Sequence, residues 1–328
     1  MRYTAALLYS LLSLPAAAAD LTVYTYDSFA SEWGPGPKVE AAFEQQCGCD
    51  IELIGLDDGV TLLNRLKIEG TRSDADVVIG LDTNLTAEAR ATGLFAEHDL
   101  SPADLSLPVQ WADAHFLPYD FGYFAFVYRP DILGEPPASL SELVENADGP
   151  DILIQDPRTS TPGLGLLLWM KQVFGAGAGD AWRKLAPRIV TVTKGWSESY
   201  GMFLKNEAPM VLSYTTSPAY HAIAEDDTGF AAAQFEEGHY LQIEVAGMLA
   251  GSDDPARARE FLKFMLGETV QQIIPTSNWM YPAALGRDRL PAGFESLIDP
   301  HPVLYLDDET VSANRREWID EWLDALSR

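Results

Sequence analysis

The alternation of short apolar strands with amphipathic helices limits the fold of this chain more than any other feature. The segment ADVVIGLD (75–82) is an almost continuous apolar run, which is typical of a strand buried on both faces of a parallel sheet. LTVYTY (21–26) and IELIGL (51–56) are rich in β-branched, aromatic or aliphatic residues, so both are predicted to be strands. Helices are predicted from Pro37 and from near Val60. The pattern predicts an α/β protein with doubly wound sheets.

The same alternation is repeated in the middle of the chain, in the runs DILIQD, IVTVTKG and PMVLSYTT and the helices between them. Extended segments near residues 120 and 246 lead into and out of this second series. Removing the first 19 of the 328 residues leaves 309, which is more than one compact core usually holds. We therefore predict two α/β lobes that are hinged around a ligand cleft. The predicted boundaries are 20–119 plus 247–285 for lobe 1 and 120–246 for lobe 2, with a C-terminal helical region, 286–328, assigned to neither.

The first 19 residues have the features of a secretory signal peptide. Arg2 supplies the positive start, residues 5–14 form the apolar core, and Ala17-Ala18-Ala19 is a small-residue cleavage site. The alternative is an uncleaved anchor, but the apolar run is too short to span a bilayer. No cysteine follows the cleavage site and no later run is long enough for a membrane span. We predict a soluble protein that is exported to a Gram-negative periplasm and does not insert into the membrane.

The chain is strongly acidic, with 22 Lys and Arg residues against 49 Asp and Glu residues. Nucleic acid is not an expected partner, because binding phosphate backbones requires clustered basic side chains. A negative field favours a cationic ligand, although salt screens such a field at distance. Solubility or adaptation to salt explains the total charge equally simply.

The two cysteines are separated by one residue, as Cys47-Gly48-Cys49. This spacing is too short for the usual zinc sites, in which two to four residues stand between the paired cysteines. In an oxidising compartment the pair is predicted to form a disulfide that closes the end of a helix, with a structural role.

Polar and aromatic side chains collect where the predicted strands end. The segment SYTTSPAYH (213–221) interleaves hydroxyl groups with tyrosines directly after an apolar strand. One interpretation is a surface turn before a helix, since Ser, Thr and Pro favour turns and helix starts. The other is a ligand site, because ligands of open α/β sheets bind beyond the carboxyl ends of the strands. The other strand ends, which carry Tyr26, Asp58, Asp82 and Trp196, favour the second interpretation.

Several long segments resemble the periplasmic thiamine-binding proteins, a branch of the extracellular solute-binding proteins of ABC importers. They are TVYTYDSFASEWGPGP, DDGVTLLNRL, QDPRTSTPGLGLLLWM, TVTKGWSESYG, LSYTTSPAYH and PTSNWMYP. The resemblance covers essentially all of the mature chain. It implies a class II, two-lobed periplasmic-binding-protein fold. It also implies a protein that captures thiamine, thiamine monophosphate or thiamine diphosphate and delivers it to an inner-membrane permease and its ATPase. No cofactor is implied.

The resemblance implies that aromatic side chains hold the two rings of thiamine. Its thiazolium ring is permanently cationic, and each cation–π contact contributes about 0.5–2 kcal/mol. Six aromatic residues have this implied role. We interpret them as lying in loops or at strand ends rather than on helical apolar stripes, although Tyr26 and Trp33 are explained as well by packing. The residues are Tyr26, Trp33, Trp196, Tyr214, Tyr220 and Trp279.

The resemblance also implies polar contacts to the ligand. Asp58 and Gly59 are expected to contact it, although Asp58 is also a good N-cap for the helix near Val60. Ser160 and Thr161 precede an apolar helix, where hydroxyl and backbone N–H groups would accept a phosphate, or where Thr161 would simply cap the helix. Further hydrogen bonds are expected from Tyr214, Thr215, Thr216 and Ser217.

Two other classes of function compete with this hypothesis. Thiamine-processing enzymes on a similar scaffold use a cysteine nucleophile in the cleft, but Cys47 and Cys49 lie at a predicted helix end. A binding protein for another cationic solute, such as a polyamine, is the second alternative. Ferric-ion relatives typically carry adjacent tyrosines, and this chain has no Tyr-Tyr pair. The five histidines show no metal-ligand spacing, so neither catalysis nor a metal site is predicted.

Overall fold

Strands and helices alternate along the chain in the computed structural model, which describes residues 19–102 and 104–327. The predicted signal peptide therefore lies, apart from Ala19, outside the described residues. The strands are β1 Leu21–Tyr26, β2 Ile51–Leu56, β3 Val77–Asp82, β4 Phe116–Tyr128, β5 Ile152–Gln155, β6 Ile189–Thr193, β7 Met210–Tyr214, β8 Ala231–Ala232, β9 His239–Met248, β10 Tyr281–Pro282 and β11 Val303–Leu304. The helices are α1 Asp27–Ala30, α2 Gly36–Cys47, α3 Gly59–Glu69, α4 Thr86–Ala91, α5 Pro130–Leu133, α6 Leu140–Glu145, α7 Thr161–Phe174, α8 Ala178–Leu185, α9 Trp196–Leu204, α10 Ser217–Ala224, α11 Pro255–Met265, α12 Glu268–Ser277 and α13 Asp308–Leu326.

Strands β1, β2 and β3 form a parallel first half-sheet. β1 pairs with β2 in the register Leu21↔Ile51 and with β3 in the register Val23↔Val77. All residues of β3 are buried, as its unbroken apolar sequence predicts for a strand covered on both faces. The three predicted strands in this part of the chain are therefore confirmed.

A second half-sheet contains β5, β6 and β7, which are also parallel to one another. Helix α7 covers it, and its residues from Thr161 to Met170 are all buried. Gly165 lets this helix approach the sheet, because a Cβ atom at this position would lie 1.9 Å from the ring of Phe124. The close approach places the start of α7 against the carboxyl ends of the strands.

The long antiparallel strands β4 and β9 join the two half-sheets. The strand order is β2-β1-β3-β9-β4-β7-β5-β6, so the parallel half-sheets flank a central antiparallel pair. β4 pairs with β9 through Phe116 to Tyr123 and with β7 through Phe124 to Tyr128. One continuous strand therefore belongs to both halves of the molecule. The lobe boundaries given above stay a prediction.

Helix α13 packs against helices from both halves. Lys171 of α7 pairs with Glu321 at 2.6 Å, and Trp322 packs edge-on against Trp182 of α8. On the other side, Arg315 pairs with Glu88 of α4. The C-terminal region thus connects the two halves, as β4 and β9 also do. It contacts both halves, so its sequence does not assign it to one lobe.

Some predicted boundaries are wrong. The segment FASEWGPGP (29–37) is predicted to be a loop from its glycines and prolines, but it begins in α1. Helix α2 starts at Gly36 rather than at Pro37, which lies in its first turn. The extended segment predicted near residue 120 ends as a strand at Tyr128, because Pro130 begins the short helix α5. The predicted disulfide between Cys47 and Cys49 is present at the end of α2. Among the helices of the described ranges, none has the length and apolarity needed to cross a bilayer.

Candidate ligand-binding site

A cavity of about 280 Å³ lies where the carboxyl ends of the two half-sheets face each other. It is lined by residues that follow β1 and β2 on one side and by residues of α9 and α10 on the other. The predicted site residues that line it are Tyr26, Trp33, Asp58, Trp196, Tyr214, Ser217, Tyr220 and Trp279. The other predicted residues, Gly59, Ser160, Thr161, Thr215 and Thr216, are buried directly behind the wall or next to it.

Aromatic rings from both halves form most of the wall. Trp33 is 57 % exposed at the mouth, and its ring centroid lies 6.5 Å from that of Trp196. Trp196 stacks on Tyr200 with 4.8 Å between the ring centroids. Tyr220 and Trp279 meet edge to face, with their ring centroids 5.3 Å apart. Two groups of aromatic rings therefore line the same cavity, and aromatic faces of this kind can hold a flat ring system.

Two of these aromatic residues do not lie where the sequence places them. Trp196 is the first residue of α9, and Tyr220 lies inside α10, rather than in a loop or at a strand end. Pro218 explains the second case, since proline near a helix start favours helix formation directly after β7. Both helices begin at the cavity, so their first turns present these rings to it.

The hydroxyl groups of the segment 213–217 mainly hold the wall together. Trp196 donates from Nε1 to Ser213 Oγ at 2.8 Å, and Ser213 Oγ lies 2.7 Å from Ser217 Oγ. The hydroxyl groups of Thr215 and Thr216 are buried and have no hydrogen-bond partner among the described residues. The segment therefore leads directly into α10, but it is mostly buried and so is not the surface turn of the first interpretation. It borders the cavity, and its contact with a ligand stays a prediction.

Trp279 has an unusual backbone conformation. Its φ angle is 58°, in the left-handed region that residues other than glycine rarely adopt. Such strain persists where the surrounding structure enforces it, and it is concentrated at functional sites. Here the conformation directs the indole ring toward Tyr220 directly after α12 ends.

A buried histidine behind the wall was not identified from the sequence. His221 is fully buried, and its Nε2 lies 2.8 Å from the hydroxyl of Tyr200. Its Nδ1 lies 2.6 Å from Glu225, which also accepts a hydrogen bond from Tyr220. Burial lowers the pKa of His221, although its contact with Glu225 opposes this fall, so the neutral imidazole is favoured. It fixes Tyr200, the stacking partner of Trp196, and through Glu225 it fixes Tyr220.

Asp58 has the structural role that the sequence allows and also borders the cavity. It is the N-cap of α3, and its Oδ1 accepts from Gly59 N at 2.8 Å. Its Oδ2 accepts from Ser160 Oγ at 2.7 Å, which links the start of α3 to the start of α7. Gly59 is required here, because a Cβ atom would lie 2.4 Å from Gly80 O and 2.5 Å from Thr161 Oγ1. Burial raises the pKa of Asp58, although the hydrogen bonds from Ser160 and Gly59 oppose this rise.

Replacing Ser160 with alanine is expected to lower the free energy of unfolding by about 1–3 kcal/mol, because it removes the donor to Oδ2 of the buried Asp58 carboxyl group. Loss of this hydrogen bond also raises the pKa of Asp58 further. Urea denaturation of the variant measures the first effect, with Ser296→Ala as a control for a hydroxyl on the exposed surface. Equal stability of both variants would contradict a bridging role for the Ser160 hydroxyl.

The cavity also contains a carboxylate that the sequence analysis missed. Glu244 of β9 borders the cavity and is 6 % exposed. Its Oε2 accepts from the hydroxyl groups of Tyr26 at 2.8 Å and Tyr119 at 2.7 Å. Burial raises its pKa. The signal was present in the sequence, because a glutamate inside the apolar strand LQIEVAGM is expensive to bury without a specific reason.

The comparisons with known proteins agree with this architecture. The model of the bacterial extracellular solute-binding protein family matches residues 33–272. The chain belongs to this family. The solute-binding protein is 56% identical over 308 residues to the thiamine-binding periplasmic protein of Escherichia coli (strain K12), covering 94% of each chain. It is 52% identical over 334 residues to the thiamine-binding periplasmic protein of Brucella melitensis, covering 100% of each chain.

Solved structures confirm the predicted two-lobed periplasmic-binding-protein fold. A periplasmic thiamin binding protein superposes on this solute-binding protein with a TM-score of 0.92 at 56% identity, covering 94% of this chain and 96% of that chain. A ferric binding protein from Campylobacter jejuni superposes with a TM-score of 0.76 at 17% identity, covering 93% of this chain and 99% of that chain. The second likeness concerns the fold alone. The predicted resemblance to solute-binding proteins is thus confirmed.

Proposed function

We propose that this solute-binding protein captures thiamine in the cavity between its two halves and delivers it to an ABC permease and its ATPase in the inner membrane. The observation that carries the proposal is an aromatic cavity that also contains a buried carboxylate. Trp33, Trp196, Tyr220 and Trp279 surround it, and Glu244 faces it. Among the described residues that line the cavity, none is basic. The names of the relatives support the same ligand.

The chemistry of thiamine suits such a wall. Its aminopyrimidine and thiazolium rings are flat, so each can lie against an aromatic face, and the thiazolium adds cation–π attraction of about 0.5–2 kcal/mol per contact. The exocyclic amine of the pyrimidine requires acceptors, which carboxylates and hydroxyl groups supply. We therefore propose that the predicted residues that line the cavity contact the ligand directly. Tyr26, Trp33 and Trp279 are among them.

For the mono- and diphosphate we propose that the tail lies at the start of α7, near Ser160 and Thr161. Backbone N–H groups at a helix start attract anions. Asp58 already lies at this point, and burial raises its pKa, so it takes up a proton more readily than an exposed aspartate. A neutral Asp58 would not repel a phosphate.

The proposed role is binding and transport, without turnover of the ligand, as the names of the relatives suggest. The two cysteines of the chain form a disulfide at the end of α2, and neither lines the cavity. The predicted signal peptide and the relatives' names support a periplasmic location. Closure of the halves around the ligand would produce the shape that the permease recognises.

Titration with thiamine is expected to quench the tryptophan fluorescence of the protein and to release heat with one site per chain. Trp196 and Trp279 line the cavity, so a ring placed between them changes their surroundings. Spermidine, a cation without a flat ring, serves as the comparison ligand in the same calorimeter. Mass spectrometry of the mixture checks that the thiamine is recovered intact.

A response to spermidine but not to thiamine would replace this proposal with polyamine binding. Release of the free pyrimidine during incubation would replace it with an enzymatic function. Each result is recognised independently of the other.

A further inference from the structure

Three acidic residues form a row across neighbouring strands, and one of them, Glu244, borders the cavity. Glu244 of β9 is the register partner of Asp82 on β3 and of Asp120 on β4. Asp82 and Asp120 are fully buried and Glu244 is 6 % exposed. Like charges directly opposite each other destabilise a sheet, and the cost grows when water is excluded. The row therefore requires a compensating positive charge or a proton.

No positive charge from the protein contacts Asp120 or Glu244 among the described residues. Glu244 accepts hydrogen bonds from the neutral groups of Tyr26, Tyr119 and Gln242. Asp120 Oδ2 accepts from Asn278 Nδ2 at 2.6 Å, and the same nitrogen lies 3.3 Å from Glu244 Oε2. One amide thus bridges the two carboxyl groups and holds them close together.

One oxygen of this pair lacks a donor. Asp120 Oδ1 is buried and has no hydrogen-bond partner among the described residues. Two ionised carboxylates have no proton to share, whereas one protonated and one ionised carboxyl group can form a strong hydrogen bond. Burial and then the charge of Glu244 raise the pKa of Asp120 well above its usual value. Asp82 differs, because it accepts from Asn84 N and from Asn84 Nδ2.

We infer that Asp120 and Glu244 share one proton in the unliganded protein and present a single negative charge to the cavity, and that a bound cationic ring displaces this proton. The inference deepens the proposed function, on which it rests, by assigning selection for a positive ligand to Glu244. Asp120 is a positioning residue, since it lies behind Glu244 and sets its charge.

The groups around the pair do not supply an alternative counter-ion. The tyrosines that face it have a raised pKa because they are buried, so they stay neutral. The nearby aspartates add negative potential. The positive charge of Arg315 lowers the pKa of Asp82 rather than that of the pair. The titratable groups that face the pair are Tyr26 before α1, Asp58 before α3, Asp82 at the end of β3, Tyr119 on β4 and Tyr214 on β7.

The sign of the pH dependence follows from the shared proton. At low pH the pair is protonated, and a cation must displace the proton in order to bind. As the pH rises through the raised pKa of the pair, this competition disappears, so the affinity for a permanent cation increases and then levels off. Binding below that point releases up to about one proton per ligand.

Calorimetry with thiamine tests the inference in wild-type protein and in Glu244→Gln and Asp120→Asn. Titrations at about pH 5.5, 7 and 8, each in two buffers of different ionisation enthalpy, count the protons released. We expect the wild-type affinity to rise with pH. Glu244→Gln should weaken thiamine binding by about 10- to 100-fold, because a charged hydrogen-bonding partner is lost. Asp120→Asn should abolish the proton release, and the exposed control Glu97→Gln should behave as wild type.

Infrared spectroscopy of the unliganded protein provides a second measurement that needs no ligand. The carbonyl stretch of protonated carboxyl groups at neutral pH should be weaker in Asp120→Asn than in wild type by the contribution of one carboxyl group, because Asp58 and Asp82 have a raised pKa in both proteins. An equal band in the two proteins, or thiamine binding that is independent of pH and unaffected by Glu244→Gln, would overturn the inference. A difference in the band together with no heat from thiamine in wild type would instead overturn the proposed function and leave the shared proton standing.

Discussion

Gly80→Ala is expected to lower the free energy of unfolding by about 2–4 kcal/mol and to weaken ligand binding at the same time. Gly80 has a φ angle of 96°, which side-chain-bearing residues rarely adopt, so alanine is strained there. A Cβ atom would also lie 2.1 Å from Cδ1 and 2.4 Å from Cε1 of the Tyr26 ring. Tyr26 must therefore move, and its hydrogen bond to Glu244 moves with it. Urea denaturation and a thiamine titration measure the two effects.

Gly93→Ala is the matched control for this experiment. Gly93 also has a positive φ, 68°, but no heavy atom lies within 4 Å of a Cβ atom added there. Gly93→Ala should therefore lower the free energy of unfolding only through the strained backbone conformation, by about 1–2 kcal/mol. It should leave ligand binding unchanged. If both variants lost the same stability and neither changed binding, the contact between Gly80 and Tyr26 would have no role in shaping the cavity.

Trp196→Ala is expected to weaken thiamine binding by about 2–4 kcal/mol, the range of a central aromatic contact. The indole faces the cavity, stacks on Tyr200 at 4.8 Å and donates to Ser213 at 2.8 Å. Its removal takes away a ring face for the ligand and leaves the Ser213 hydroxyl with one partner fewer. Trp196→Phe keeps a ring but not the N–H group, so its effect should be intermediate. Calorimetry measures the affinities.

Trp318→Ala controls for the loss of a tryptophan elsewhere in the fold. Trp318 lies on α13, is partly buried and does not border the cavity. It should retain wild-type affinity and should also retain the fluorescence quenching by thiamine. If Trp196→Ala bound thiamine as tightly as Trp318→Ala does, the aromatic wall formed by α9 would not be part of the binding site.

Much of the fold follows from local sequence. The strands at Leu21–Tyr26 and Ile51–Leu56 have the composition of half-buried or buried strands, and they form where predicted. The cap at Asp58 follows from side-chain chemistry within a few residues, and it forms as well. The prediction is wrong at Tyr220, because two local preferences compete: the hydroxyl groups suggest a turn, but Pro218 favours the start of α10.

Part of the candidate site could also be predicted. The resemblance and the strand-end rule identify residues such as Tyr26, Trp196 and Tyr220, which the fold brings to one cavity. Their contacts with a ligand stay a prediction. Glu244, His221 and Asn278 were missed, because their environment is created by residues far along the chain: Glu244 accepts from Tyr26, 218 residues away.

The sequence by itself determined the alternation of strands and helices, the disulfide at the end of α2 and the family of the chain. These features depend on side-chain periodicity, turn chemistry and short-range spacing, all of which involve residues that are close together in the sequence. Only the tertiary structure decided that Glu244 and Asp120 lie side by side beneath the aromatic rings. Cross-strand register sets that pairing, and register depends on the packing of both half-sheets. The charge of the cavity is therefore a property of the folded chain, not of any one segment.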